Sequence, residues 1–175
     1  MNFHPSPASM QKQAFVELFG GVYEHSPWIA EQAWEQGLSS PHDQLENLAQ
    51  LMSGIVEAAS EQRQMDLICA HPDLAGRAAQ AGELTSESNS EQAGAGIDQC
   101  NAQEFALFQK LNDAYREKFN FPFIMAVKGA NRHQILQDFT ARLPNDKDSE
   151  FRQALDQVHK IAGFRLSDIA KMSAP

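Results

Sequence analysis

AHPDLAG, residues 70–76, and SNSEQAGAG, residues 88–96, are the two stretches on which the reading of this chain turns. Each sets polar, titratable side chains at a break between helical patterns. Proline disfavours helical geometry at the residue before it, so Pro72 requires a helix over 62–69 to stop near His71. Residues 82–88 are small and polar and read as a loop. From about Asn89 a long helix is expected to run to Phe119, with Ile97, Cys100, Phe108, Leu111 and Tyr115 along one stripe.

Outward from these breaks, apolar residues recur at helical spacing, and few segments alternate with the period of strands. Residues 10–19 place Ala14, Phe15, Leu18 and Phe19 on one side before Gly20-Gly21. Residues 27–36 read as a helix with Ser26 as cap, Pro27 in the first turn and Gly37 as stop. A third helix is expected after Ser40 as cap, with Pro41 and Asp43 in its first turn, toward Ala59. Pro122 interrupts the long helix, and 123–127 can be extended. Helices over 132–142 and from about Ser149 complete the chain. The predicted architecture is all-α, a compact single-domain bundle over residues 1–175.

Composition narrows the function. Apolar residues make up 42% and charged residues 21%, as in ordinary globular domains. A net charge of −9 with no basic cluster argues against nucleic acid. No apolar run is long enough for a membrane span. The first residues lack a signal pattern and the closing KMSAP is no peroxisomal address, so a cytoplasmic protein is expected. Cys69 and Cys100 are expected as small buried hydrophobes. The six histidines contain no His-x-x-x-His pair and neither cysteine has a close partner. No metal and no cofactor are therefore expected.

Three groups stand out chemically. His71 projects from a turn and can move protons near neutral pH; packing at a helix end against a free carbonyl is the bland alternative. Ser88 and Glu91 have the spacing of a capping box, and on pattern alone the cap prevails. The same helix start can open a pocket whose amides favour an anionic ligand, with Glu91 and Gln92 facing it. Arg165 falls on the apolar stripe of the last helix, four residues after Ile161 and four before Ile169. A guanidinium there either pairs with a carboxylate, such as Glu104 or Asp113, or meets a ligand's oxygens. Gly163 can bend the helix and turn it outward.

Taken together, HPDLAGRAA, LTSESNSEQAGAGID, LNDAYREKFNFPFIMAVKG and IAGFRL resemble, in order and spacing, the 2-oxo-4-hydroxy-4-carboxy-5-ureidoimidazoline (OHCU) decarboxylase family. The resemblance spans nearly the whole chain. It implies an all-α, cofactor-free homodimer that converts OHCU to (S)-allantoin and CO2, the last step from urate. It places the catalytic histidine at His71, with Glu91 assisting. It assigns substrate contacts to Pro72, Ser88, Glu91, Gln92 and Arg165, and to the backbone at Phe123 and Ile124. A hydrolase or isomerase of another ureide, a helical binding protein and a structural module are the rival readings.

Overall fold

The computed structural model of the chain describes residues 1–76 and 82–172. Eight α-helices occupy them: α1 (Lys12–Phe19), α2 (Trp28–Glu35), α3 (Leu45–Glu57), α4 (Glu61–Cys69), α5 (Ser86–Gly94), α6 (Ala102–Phe119), α7 (Arg132–Arg142) and α8 (Lys147–Met172). Among the described residues there is no strand, and one isolated bridge joins Asn2 to Gln44. The all-α expectation holds. The chain divides into two compact units, one of residues 1–70 with the chain from His159, the other of His71–Val158. Residues 77–79 of HPDLAGRAA and 173–175 of KMSAP lie outside the described residues.

In the first unit, α1 buries Phe15 and Phe19, four residues apart on one face. Phe3 meets Phe19 edge-on at 5.2 Å, and Phe15 lies tilted on it at 4.7 Å. Gly20 caps the helix where no side chain fits, since a Cβ there would stand 2.5 Å from the Val16 carbonyl oxygen. α2 starts at Trp28 with Pro27, not Ser26, at its N-cap, and Gly37 stops it at φ +88°. The third helix starts four residues later than expected, capped at Gln44 instead of Ser40. Ser40–Asp43 forms a 3-10 turn boxed by Ser39 and His42, and Gln44 is extended. The cause is tertiary: the Asp43 carbonyl accepts from Phe3 and the Leu45 amide donates to Met1, so this backbone pairs with the N-terminal segment.

The second unit departs from expectation where a single helix over 89–119 was read. α5 ends at Gly94, Gly96 turns left-handed at φ +72°, and Ile97–Gln99 makes a 3-10 turn. Asn101 then starts α6 with a capping box to Glu104. Two glycines followed by Asn-x-x-Glu outweigh the continuing apolar stripe. α6 buries Phe108, Leu111, Asn112, Tyr115 and Phe119, and Asn120 ends it in the left-handed region. The segment 121–127 has no regular structure. Its Phe123 stacks on Phe139 of α7 at 3.9 Å, and Tyr115 stands edge-on to both rings. α8 begins at Lys147, where the Asp146 carboxylate accepts from the Ser149 amide and hydroxyl. It stays helical through Gly163.

The cysteine expectation is corrected. Cys69 is exposed at the last residue of α4, where Leu67 and Ile68 take the buried positions, and Cys100 is half-buried.

Candidate active site

α4 closes at Cys69, and the Ala70 amide donates back to the Asp66 carbonyl. His71 follows with its imidazole buried, 6% exposed, beside the fixed φ of Pro72. The turn behind it is tightly specified. Ala75 sits at φ +53°, uncommon for a residue with a side chain. A Cβ on Gly76 would lie 2.7 Å from that of Asp73. Four contacts hold the turn. The Ala75 amide donates to Gln92 Oε1 at 3.1 Å, and Asn112 Nδ2 donates to the Leu74 carbonyl at 2.9 Å. Gln109 Nε2 donates to the Ala75 carbonyl at 2.6 Å, and Arg116 Nε reaches both Asp73 oxygens at 2.9 and 3.1 Å.

The capping box at Ser88 and Glu91 is overturned. Thr85 has the extended cap conformation, and its Oγ1 accepts from the Ser88 amide at 3.2 Å. The helix therefore starts at Ser86, and Ser86–Ser88 are helical rather than loop. This places Ser88 inside the first turn, four residues before Gln92 on the same face. Both are buried, whereas Glu91 is half-buried. Because the Ala75 amide holds Gln92 Oε1, the orientation of this side-chain amide is set. The end left to meet a ligand is Nε2, a donor.

Phe123 and Ile124 are both buried. The Ile124 carbonyl accepts from Arg142 Nη1 at 2.8 Å, and the Ala126 amide donates to Gln157 Oε1 at 2.9 Å. Among the described residues no such acceptor engages the amides of Phe123 and Ile124, which leaves donors for a ligand oxygen. Arg142 is itself braced by Glu150, wholly buried, at 2.9 Å and lies 4.5 Å over the Phe123 ring. Tyr115 also donates to Glu150. Burial, then that hydrogen bond, pushes the Tyr115 phenol well above its ordinary range.

Arg165 belongs to the first unit and is buried. It pairs with the buried carboxylate of Glu24 at 2.7 Å and donates to the Gly21 carbonyl at 3.2 Å. The carboxylate on its face is thus Glu24, not Glu104 or Asp113. Glu104 caps α6 and pairs with Arg132, and Asp113 is exposed.

His71, Ser88, Gln92, Phe123 and Ile124 thus fall in one unit, and Arg165 in the other. Four buried polar residues of the second unit escaped the sequence reading: Asn112, Arg142, Glu150 and Gln157. A signal existed for two. Asn112 lies four residues after Phe108, and Arg142 three after Phe139, each on an apolar stripe as Arg165 is. Among the described residues no cluster of three or more His, Cys, Asp or Glu side chains is placed to hold a metal ion. Gln92 and Ala75 share the wall of a cavity of about 330 Å³ with Ile97, Cys100 and Phe105. Burial, then Glu104, pushes the Cys100 thiol up.

A family model described as OHCU decarboxylase matches residues 8–167. The 2-oxo-4-hydroxy-4-carboxy-5-ureidoimidazoline decarboxylase of Halalkalicoccus jeotgali is 42% identical, over 90% of this chain and 86% of its own. The enzyme of that name from Mus musculus is 37% identical, over 92% and 89%. A crystal structure of (S)-allantoin synthase superposes with a TM-score of 0.75 at 32% identity; it covers 93% of this chain, which spans about half (52%) of that protein. A family match running through both units, with relatives this similar over nine tenths of the length, leaves one assignment: the chain belongs to the OHCU decarboxylase family.

Proposed function

We propose that this chain decarboxylates OHCU to (S)-allantoin and CO2 without a cofactor, as the final step from urate to allantoin in purine catabolism. The observation that carries the reading is the buried His71 imidazole, set at the helix break where the family's histidine is expected. Breaking the bond to the carboxylate carbon leaves its electron pair in the ring, delocalised onto neighbouring oxygen and nitrogen as an enolate. Fixed donors stabilise such charge without a cofactor. Gln92 Nε2, the Ser88 hydroxyl and the amides of Phe123 and Ile124 are the donors offered. His71, assisted by Glu91 and backed by Pro72, handles the proton that then adds to one face of the ring, giving a single enantiomer.

The family match crosses both units, which supports reading residues 1–175 as one catalytic domain. The resemblance also assigns Arg165 to the ligand, alongside its bond to Glu24. A homodimer in the cytoplasm completes the reading, on the strength of the resemblance and of a cysteine count, two, too low for a disulfide scaffold. No helix among the described residues is long and apolar enough to cross a membrane. Light scattering on the purified protein tests the dimer: a mass of twice 19.4 kDa is expected, and a monomer at micromolar protein removes it.

The activity test generates OHCU in place from urate with uricase and hydroxyisourate hydrolase and follows the circular dichroism of the product. Wild type should give one allantoin enantiomer rapidly. His71→Ala should give the slow racemate of the uncatalysed reaction, a loss of at least about 10²-fold for a group that transfers the proton. Racemate from wild type removes the decarboxylase reading. Fast chiral product from His71→Ala keeps the activity and removes the role of His71.

A further inference from the structure

Three of the four contacts on the turn after His71 come from one face of α6. Gln109, Asn112 and Arg116 lie three and four residues apart, neighbours on a helix surface. They hold, in order, the Ala75 carbonyl, the Leu74 carbonyl and the Asp73 carboxylate. Helix and turn therefore meet rung by rung, running in opposite directions. Asn112 is the middle rung and the buried one, 4% exposed, whereas Gln109 is half-buried and Arg116 exposed.

The orientation of Asn112 is fixed, because a flipped amide would set Oδ1 against the Leu74 carbonyl oxygen. The same orientation leaves Oδ1 buried with no donor among the described residues. A buried acceptor left unpaired is destabilising, and an apolar side chain of similar size would avoid that cost. Packing alone gives no reason for an asparagine on the stripe formed by Phe108, Leu111, Tyr115 and Phe119. Holding the Leu74 carbonyl does.

We propose that Asn112, flanked by Gln109 and Arg116, is a positioning residue for the decarboxylation: the three rungs fix the backbone of residues 73–75 and, through the rigid Pro72, aim the His71 imidazole. The inference rests on His71 acting on the substrate, as read above, and deepens that reading. Gln92 is tied into the same device. Ala75, whose carbonyl Gln109 holds, gives its amide to Gln92 Oε1, so the clamp sets the imidazole and the Gln92 donor together.

The test compares Asn112→Leu, Asn112→Ala, Gln109→Ala and Arg116→Gln with wild type and His71→Ala. It measures kcat and KM on freshly generated OHCU and the imidazole signal of His71 in histidine-labelled protein, assigned by its loss in His71→Ala. Small misplacement of a catalytic group costs up to about 10²-fold. We expect kcat to fall by about that factor in both Asn112 variants and by roughly tenfold in Gln109→Ala, with KM moving less. The His71 signal should shift or broaden while those of the other histidines stay. Wild-type kcat in these variants, or a fall in kcat with an unmoved His71 signal, overturns the clamp. Should the Asn112 variants fail to fold, Gln109→Ala and Arg116→Gln decide by the same two criteria. An inactive His71→Ala with unchanged kcat in the clamp variants removes the clamp alone. A fully active His71→Ala removes the reading beneath it as well.

Discussion

Arg142 and Arg165 pose the same physical problem at one residue each: a guanidinium on an apolar helical stripe. Each is answered by a carboxylate that is almost wholly buried, Glu150 and Glu24. Such a pair adds little net stability, but removing one member strands the other as an unpaired buried charge. Arg142→Met should therefore cost about 3–5 kcal/mol and release the Ile124 carbonyl. Arg142→Met/Glu150→Leu should recover much of that loss, read as urea midpoints at constant slope. A single variant as stable as wild type would show that Glu150 finds other partners, Tyr115 and Asn145 being the candidates. The sequence makes an arginine on an apolar face legible, because periodicity alone puts it there. The partner is not legible: Glu24 lies far from Arg165 along the chain, and only the fold brings them together. Arg142 and Asn112 carry the same signal, each lying on an apolar stripe, and both went unread.

At the scale of elements, most helices were legible, and the starts of α3, α5 and α6 were not. Several polar residues compete for each N-cap, and the winner depends on the backbone ahead of it. Thr85 displaced Ser88, and pairing with the N-terminal segment held residues 41–44 out of α3. Two of the caps that formed carry charge. The Asn101 amide above all, with Arg132 adding to it, holds the Glu104 carboxyl below its ordinary value of 4.5 against the opposing effect of burial. The Ser149 amide and hydroxyl hold Asp146 below 3.8. Each acid binds its proton more weakly in the folded chain than in the unfolded one. The stability each contributes is therefore complete above the unfolded value and is lost as pH falls through the folded value. Urea midpoints should drop below roughly pH 5. Glu104→Gln and Asp146→Asn, which keep a capping oxygen, should leave the neutral midpoint nearly unchanged and flatten the acid slope. An acid slope identical to wild type in both variants would locate the acid sensitivity elsewhere.

At the scale of the whole chain, the sequence reads as a succession of helices, and nothing local says that its two ends build one unit. Yet residues 1–70 take their last helix from the chain beyond His159. That stretch of α8 supplies Ile161, Ala162, Leu166 and Ala170 to the buried interior. It also supplies two polar anchors. His159 Nδ1 meets the Tyr23 hydroxyl at 3.0 Å while its Nε2 meets Glu57 at 2.9 Å, and Arg165 pairs with Glu24. Tyr23 is buried, which pushes its phenol well above the ordinary range, with the Glu57 charge adding to the effect. A chain ending at Val158 would expose that apolar surface and leave Tyr23 and Glu24 without these partners. Removing one member of a buried ion pair costs about 3–5 kcal/mol, a large part of the 5–15 kcal/mol that stabilises a typical domain. The truncated chain should therefore lose slow amide exchange throughout α1 and α3, whose Phe15, Phe19, Leu48 and Met52 lie at the centre of that unit. Arg165→Gln, which keeps the helix and its apolar face, should lose only part of that protection. If α1 and α3 exchange as slowly in the truncated chain as in the intact one, residues 1–70 hold their own core and the last helix is an addition rather than a component. If Arg165→Gln exchanges as fast as the truncated chain, the buried ion pair outweighs the apolar surface of α8 in holding the unit.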